Sequence, residues 1–276
     1  MNDLKSSPVG PGDGRPCEEK PHRPILQLHR FFKTGFTAAD IAEPMVSWDS
    51  STAAETVAEQ MDVLDFDVAG IRIGGAVSGW CLREDLGEGP CIAFLRSFFE
   101  TAVVSSAAPL GDVIARLGNE SWVFVTTFGG VGGIITRADL QKAPVRMWLF
   151  GLVTLVEETF TRVLKDSFPG DAWHGMITKA RLEAAQRLHE ERTRRNEHLD
   201  LADCLQFGDK GLILFKDEGI RMEMGFESRT RAKEVVRNLQ KLRNNLAHSQ
   251  DIVAGNLETI VALAGSMDRV LEVTSS

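Results

Sequence analysis

The chain has 276 residues, which is enough for about two domains. Its 43% hydrophobic and 25% charged residues can bury a core, which excludes wholesale disorder, a collagen-like fibre and a small disulfide scaffold. The net charge of -8 excludes a protein that coats nucleic acid non-specifically, because such binding needs many cationic contacts to phosphates.

The N-terminal residues 1–24 are rich in Pro, Gly and charged side chains, and we expect them to form a disordered tail. They contain no apolar segment typical of a secretory signal. The longest apolar stretch, 147–156, is shorter than the roughly 20 residues that cross a bilayer. The sequence therefore predicts a cytoplasmic protein that makes no contact with a membrane.

An internal repeat organises residues 25–143, which we predict to be the first domain. The segments VSGWCLREDL at 77–86 and VGGIITRADL at 131–140 share five identical residues at an offset of 54. Each segment follows an extended start, a helical run and a short strand, in the same order. The pattern predicts two β-α-β-β-α repeats, with hairpin turns at Gly74-Gly75 and Gly129-Gly130.

Over residues 36–143 this pattern resembles a pair of cystathionine β-synthase (CBS) domains. The residues GIITRAD at 133–139 fit the G-h-h-T-x-x-D ligand signature of that family without a gap. The resemblance implies a pseudo-symmetric pair that binds an adenosine-bearing regulatory ligand, such as AMP, ATP or S-adenosylmethionine. The implied ligand-binding residues are Thr136, Arg137, Asp139 and Asp85.

The two repeats differ in one residue of this signature. The first repeat keeps Asp85 but has Leu82 where the second has Thr136, so we expect the second site to be competent and the first to be weaker or empty. A hydroxyl and free N–H groups at a helix start can bind phosphate, and the carboxylate of Asp139 can accept ribose hydroxyls. The alternative is that Thr136 and Asp139 only cap a helix in a structural, dimerising CBS pair.

The second predicted domain, 144–276, is helical throughout. Pro144 suits the first turn of a helix whose apolar positions step by three and four as far as Leu164. Further helical runs are predicted at about 177–195, 199–216, 229–247 and 251–273, and a loop is predicted at 217–226. The fold class is therefore α+β, with a CBS pair followed by an all-α bundle.

The segment KLRNNLAH at 241–248 resembles the R-x4-6-H signature of the HEPN superfamily, whose domains are α-bundles. The resemblance implies a metal-independent endoribonuclease site made by Arg243, Asn244 and His248, usually across a homodimer. Histidine titrates near neutrality and can transfer protons, while arginine presents a planar fork to phosphate. Glu157 or Glu158 can orient Arg243, or both can belong to a solvated helix face.

Helix geometry limits how this motif can act. Five positions turn about 500°, which leaves Arg243 and His248 about 140° apart on one helix. Either the helix ends near Ala247, or the arginine and the histidine of two protomers meet at a two-fold interface. The alternative without catalysis is that Arg243 is a solvated helical arginine and His248 a polar residue at a helix end.

Together these features predict a nucleotide-regulated endoribonuclease, and the two families suggest a role in stress or phage defence. Its expected partners are an RNA substrate, an adenosine-containing ligand and a second copy of the chain. No cofactor is required by the predicted chemistry, and no metal site is predicted, because the sequence has no clustered set of metal ligands. The alternative is a non-catalytic dimer that senses a nucleotide or binds RNA or protein.

Overall fold

A computed structural model describes residues 23–98, 103–248, 250–253 and 257–263. Helix α1 and strand β1 come first, at Arg23–Thr34 and Glu43–Pro44. Two units with the same β-α-β-β order follow. The first consists of β2 (Ser47–Asp49), α2 (Ala54–Val63), β3 (Val68–Ile73) and β4 (Ala76–Leu82). The second consists of β5 (Val103–Ser105), α3 (Leu110–Leu117), β6 (Trp122–Thr127) and β7 (Gly130–Thr136).

The rest of the described chain is helical, and no strand follows Thr136 in the described residues. The α-helices are α4 (Ala143–Ser167), α5 (Lys179–Arg194), α6 (Phe207–Leu214), α7 (Glu218–Glu223) and α8 (Arg229–Ala247). Residues 257–263 are also helical. The architecture is α+β, in agreement with the predicted class. None of the described helices combines the length and the apolar character needed to cross a membrane.

The two units build separate sheets with equivalent pairing. In each unit the first strand is parallel to the second, and the second is antiparallel to the third. Strand β1 precedes the first unit in sequence but pairs antiparallel with β7 of the second, with Glu43 opposite Ile134. The sheet orders are therefore β2-β3-β4 and β1-β7-β6-β5. The pairing of β1 with β7 thus connects the start of the repeat region to its last strand.

The closing α-helix predicted for the first repeat is not present in the described residues. Only short 3-10 helices form there, at Arg83–Asp85 and Cys91–Phe94. The segment between them contains Gly87, Gly89 and Pro90, residues that disfavour a continuous α-helix. In the second repeat a 3-10 helix at 137–141 leads directly into α4.

One of the two predicted hairpin turns lies one residue earlier than expected. Gly74 and Gly75 both have positive φ, 61° and 85°, as a tight turn between β3 and β4 requires. In the second repeat the corresponding positions are Phe128 and Gly129, with φ of 52° and 86°, and Gly130 is already the first residue of β7. A phenylalanine therefore occupies a left-handed position, with its side chain fully exposed at the hairpin tip.

The helical half differs from its prediction in two places. The predicted loop 217–226 contains α7, because the side chain of Asp217 accepts a hydrogen bond from Ile220 N at 2.9 Å and caps a helix start. The predicted run 199–216 is divided into a 3-10 helix, Leu201–Cys204, and α6. Of the predicted disordered tail, residues 1–22 lie outside the described residues, and Arg23 begins α1.

The core does not follow the predicted boundary between residues 143 and 144. The interior of the first repeat, around Met61 and Cys81, forms one small cluster, and Trp80 and Phe124 pack together in another. The largest cluster runs without interruption from Ile114 and the second repeat, along α4, into the last helices. The second repeat and the helical half therefore share one hydrophobic core.

Candidate functional site

The turn after β7 holds two of the predicted ligand-binding residues in direct contact. The backbone N–H and the hydroxyl of Thr136 both donate to Oδ2 of Asp139, at 2.6 and 3.0 Å. The other carboxylate oxygen, Oδ1, lies 2.9 Å from Nζ of Lys142. Asp139 is 8% exposed. Thr136 and Asp139 thus form the helix-capping box that was the alternative to a ligand site. Binding of an adenosine ligand at this turn stays a prediction.

Lys142 connects this turn to the beginning of the repeat region. Its ammonium group donates to the carbonyl oxygen of Ile41 at 2.7 Å and also pairs with Glu43. Burial lowers the pKa of Lys142, but its hydrogen bonds and ion pairs with Glu43 and Asp139 outweigh that effect and raise the pKa overall. Lys142 is therefore a cation that shares the carboxylate of Asp139.

A second capping box, which the sequence analysis missed, has the same geometry. The backbone N–H and hydroxyl of Thr37 donate to Asp40 Oδ2 at 2.6 and 3.0 Å. The signal was present in the sequence, because T-x-A-D occurs at 37–40 as well as at 136–139. Both T-x-A-D segments thus cap a helix. The capping geometry alone therefore does not mark Thr136 and Asp139 as a ligand site.

The side chains of the other two predicted ligand residues make their contacts away from this turn. Asp85 pairs with Arg96, beside the first repeat. Arg137 donates from Nε to the carbonyl oxygen of Leu117 at 3.1 Å, and its side chain lines a groove between α3 and α8. The structure therefore does not bring Arg137 and Asp85 together with Thr136 and Asp139.

Arg243 of the predicted catalytic motif contacts an acid on α4. Its Nη1 atom lies 3.5 Å from Oε2 of Glu157, whereas Glu158 is exposed. The other oxygen of Glu157, Oε1, lies 3.5 Å from Nζ of Lys210. Of the two acids Glu157 and Glu158, Glu157 is thus the one that can orient Arg243. Its carboxylate also pairs with Lys210.

Lys210 is a charged residue in the core that the sequence analysis missed. It is only 4% exposed, and burial lowers its pKa, while the carboxylate of Glu157 opposes that effect. Beside it is a cavity of about 510 Å³ that is also lined by Thr161, Arg162 and Lys165. In the sequence, Lys210 stands between Asp209 and Gly211 and looks like part of a surface turn, so no local signal marks it as buried.

His248 follows the last residue of α8 and is exposed. Its backbone N–H donates to Asn244 O at 3.1 Å, and the side chain of Asn244 is also exposed. Helix α8 ends at Ala247, which is the first of the two arrangements expected from the spacing of Arg243 and His248. Even so, Arg243 is engaged with Glu157, and no hydrogen bond joins its side chain to His248 within the described residues.

Two residues near the start of α4 hold the segment that carries His248. Arg146 donates from Nη1 to Gln250 O at 2.9 Å, and from Nη2 to Asn245 O at 3.2 Å and Leu246 O at 3.1 Å. Gln141 accepts from Ile252 N at 3.3 Å and donates to Asp251. We call these the Gln141/Arg146 contacts. They connect the end of the second repeat to residues 245–252, which include the candidate catalytic histidine.

Comparisons with known proteins gave matches among solved structures. No protein-family model matches the chain, and no curated protein matches it. One similar structure is a hemolysin-like protein containing a CBS domain from Oenococcus oeni, at 14% identity and TM-score 0.33, covering 42% of this chain and 94% of that one. A second is the CBS domain of a bacterial CNNM/CorC family Mg²⁺ transporter in complex with ATP, at 12% identity and TM-score 0.35, covering 45% and 95%. A third is CbpB in complex with c-di-AMP, at 13% identity and TM-score 0.37, covering 46% and 95%.

Proposed function

We propose that the chain is a nucleotide-regulated, metal-independent endoribonuclease, with a CBS-like sensor and a HEPN-like helical domain. The observation that carries this proposal is the set of Gln141/Arg146 contacts. They join the turn of Thr136 and Asp139, where the family signature implies a nucleotide, to the segment that ends α8 at His248. A change at the sensor therefore has a short hydrogen-bonded route to the candidate catalytic residue.

The proposed site needs two copies of the chain. Arg243 is held at Glu157, whereas His248 follows the end of α8, and no hydrogen bond joins the two side chains within the described residues. In a two-fold dimer, two histidines and two arginines can meet around one phosphate. Asn244, exposed one turn before His248, is placed to bind a phosphate oxygen or to orient the histidine.

The proposed reaction is transesterification within the RNA. The 2′-oxygen attacks phosphorus and the bond to the 5′-oxygen breaks, which gives a 2′,3′-cyclic phosphate and a 5′-hydroxyl. One histidine takes the proton of the 2′-hydroxyl, and the other donates a proton to the leaving 5′-oxygen. Arg243 stabilises the negative charge that develops on the phosphorane oxygens.

Regulation follows from competition for Asp139. The ribose hydroxyls of an adenosine ligand would bind the carboxylate that Thr136 and Lys142 now share. Lys142 is the N-cap residue of α4, so its release changes the start of the helix that carries Arg146. A nucleotide controls cleavage in this way if it binds the active and inactive arrangements with different affinity.

The test is cleavage of total RNA by the purified full chain in EDTA, with and without AMP, ATP or S-adenosylmethionine. We expect cutting that is lost in His248→Ala and in Arg243→Ala while both variants stay folded, and a nucleotide effect that is lost in Asp139→Asn. Glu158→Gln is the matched control, because Glu158 is exposed next to Glu157 and contacts neither catalytic residue. Full activity in the His248 variant would refute the assigned role.

A second candidate function is a non-catalytic dimer that senses a nucleotide or binds RNA or protein. It is favoured by the capping box, in which the chain itself occupies both oxygens of Asp139. Expression in a host separates the two: a nuclease slows growth through His248, whereas a binding protein affects growth equally with and without it. No cleavage by a folded dimer under any condition would favour this second function.

A further inference from the structure

We infer that the groove between the second repeat and α8 binds the phosphodiester backbone of single-stranded RNA and leads it to His248. This inference names the substrate surface of the proposed nuclease and rests on that function for its biological role. The binding itself can be tested without cleavage.

The lining of the groove is suited to an anion. The groove has a volume of about 850 Å³. Asn119 and Arg137 line it from the second repeat, and Asn238 and Lys241 line it from α8. Amide and cationic N–H groups are the donors that proteins most often use for phosphate oxygens. Glu258 is the one acid among the lining residues that the structure describes.

One exposed stripe of α8 continues from this groove to the candidate catalytic histidine. The spacing of Arg237, Lys241 and Asn244 places them within about 60° of one another around the helix and spreads them over about 10 Å of its length, and His248 directly follows the last residue of α8. All four side chains are exposed. A backbone that enters at the groove can therefore follow Lys241 and Asn244 to His248.

The cations of this stripe have no acidic partner within the described residues. Arg237 and Lys241 form no ion pair there, whereas Arg231 pairs with Glu234 at 2.9 Å and Arg243 pairs with Glu157. A cation that is already paired with a carboxylate gains less free energy from binding a phosphate than a cation that is only solvated. The distribution of ion pairs thus leaves the groove end of α8 available to an external anion.

The same lining indicates which RNA is bound and how. No aromatic side chain is among the described residues that line the groove, so recognition by stacking of bases is not expected, and binding should depend little on sequence. Three cations, Arg137, Arg237 and Lys241, predict a modest affinity with a strong dependence on salt. A single strand is favoured over a duplex, because attack by a 2′-hydroxyl needs a backbone that can rotate into line with the leaving oxygen.

The groove also adjoins the sensor turn. Arg137 directly follows Thr136 in sequence, and its guanidinium is anchored on Leu117 O. A ligand that reorganises the capping box therefore acts on one wall of the groove as well as on the Gln141/Arg146 contacts. Regulation through the groove would appear as a change in RNA affinity with nucleotide.

The experiment measures binding of a short 2′-O-methyl RNA, which lacks the attacking hydroxyl, to the full chain in EDTA by fluorescence anisotropy. Arg137→Gln, Arg237→Gln and Lys241→Gln should each weaken binding by roughly fivefold and reduce the salt dependence of binding by about one phosphate contact. Lys179→Gln is the control, because Lys179 is an exposed lysine on α5 outside the groove lining, and it should bind as the wild type does.

Two results would overturn the inference: no RNA binding by the wild type, or unchanged binding in all three variants of the groove and the α8 stripe. Loss of ATP binding in Lys241→Gln with unchanged RNA binding would assign the groove to a free nucleotide instead. RNA binding through the groove without any cleavage of natural RNA would refute the nuclease and leave the groove intact. Cleavage that persists at the wild-type rate in all three variants would refute the groove and leave the nuclease.

Discussion

Glu157 on α4 lies 3.5 Å from Arg243 of α8, while His248 directly follows the last residue of that helix and is exposed. The acid lies on α4, the helix that also carries Arg146 and its contacts to the His248 segment. One long helix thus touches both halves of the candidate catalytic motif. Its position can control the arginine and the histidine together, although no hydrogen bond joins their side chains within the described residues.

Replacement of Glu157 by glutamine should impair the proposed cleavage. The variant keeps the shape of the side chain but removes the charge that orients Arg243, and we expect a roughly tenfold lower kcat with little change in KM. The neighbouring Glu158→Gln should retain the wild-type rate. An unchanged rate in the Glu157 variant would show that Arg243 does not depend on this acid.

Lys210 should make stability depend on pH in a defined direction. Because burial lowers the pKa of Lys210 in the folded protein, the unfolded chain binds more protons between that lowered value and the ordinary lysine pKa. The free energy of unfolding of the wild type should therefore rise with pH through this window, relative to Lys210→Met. Urea denaturation of both proteins between pH 7 and 10 measures the difference. A constant difference would contradict the burial of a charged lysine.

Arg146→Ala should loosen the segment that carries His248. The change removes three hydrogen bonds from a charged donor to the carbonyl oxygens of Asn245, Leu246 and Gln250, and we expect a loss of about 1–3 kcal/mol in stability. Hydrogen exchange should become faster in residues 245–252. Arg187→Ala, at an exposed position on α5, serves as the control and should leave that exchange unchanged.

Gly151→Ala should destabilise the protein, although alanine usually stabilises a helix by about 1 kcal/mol relative to glycine. A Cβ at this position of α4 would overlap the ring of Phe32 on α1. The main chain of Phe32 is fixed by a 2.7 Å hydrogen bond from Trp148 Nε1, so the ring cannot simply move away with its helix. We expect a loss of about 1–3 kcal/mol in thermal or urea unfolding. Gly175→Ala, where nothing lies within 4 Å, should have little effect.

The parts of the fold that the sequence predicted are those with a local signal. Identical residues at a constant offset revealed the repeat, and alternating apolar positions marked β3, β4, β6 and β7. The pairing of β1 with β7 joins residues about ninety positions apart, and a two-residue strand carries no local pattern for it. The second hairpin turn lies one residue before its predicted position because four glycines follow Phe128 within five residues and offer several possible turns.

The candidate site was predicted less completely, for a related reason. The spacing of Arg243 and His248 identifies them, but the contact of Lys210 with Glu157 and those of Arg146 with the segment around His248 depend on how α4, α6 and α8 pack. Arg137 was assigned to the nucleotide turn because it lies between Thr136 and Asp139 in sequence. The 3-10 helix turns its side chain the other way, towards Leu117 and the groove.

The second repeat and the helical half share one hydrophobic core, so the protein cannot be divided between them without opening that core. A cut between residues 143 and 144 would divide the largest hydrophobic cluster, to which Ile114 of the second repeat and Leu149 of α4 both belong, so each fragment would expose apolar surface to water. The repeat region therefore cannot be moved to another protein as a self-contained unit. Its transfer would have to include α4, together with the residues that this helix buries on both sides.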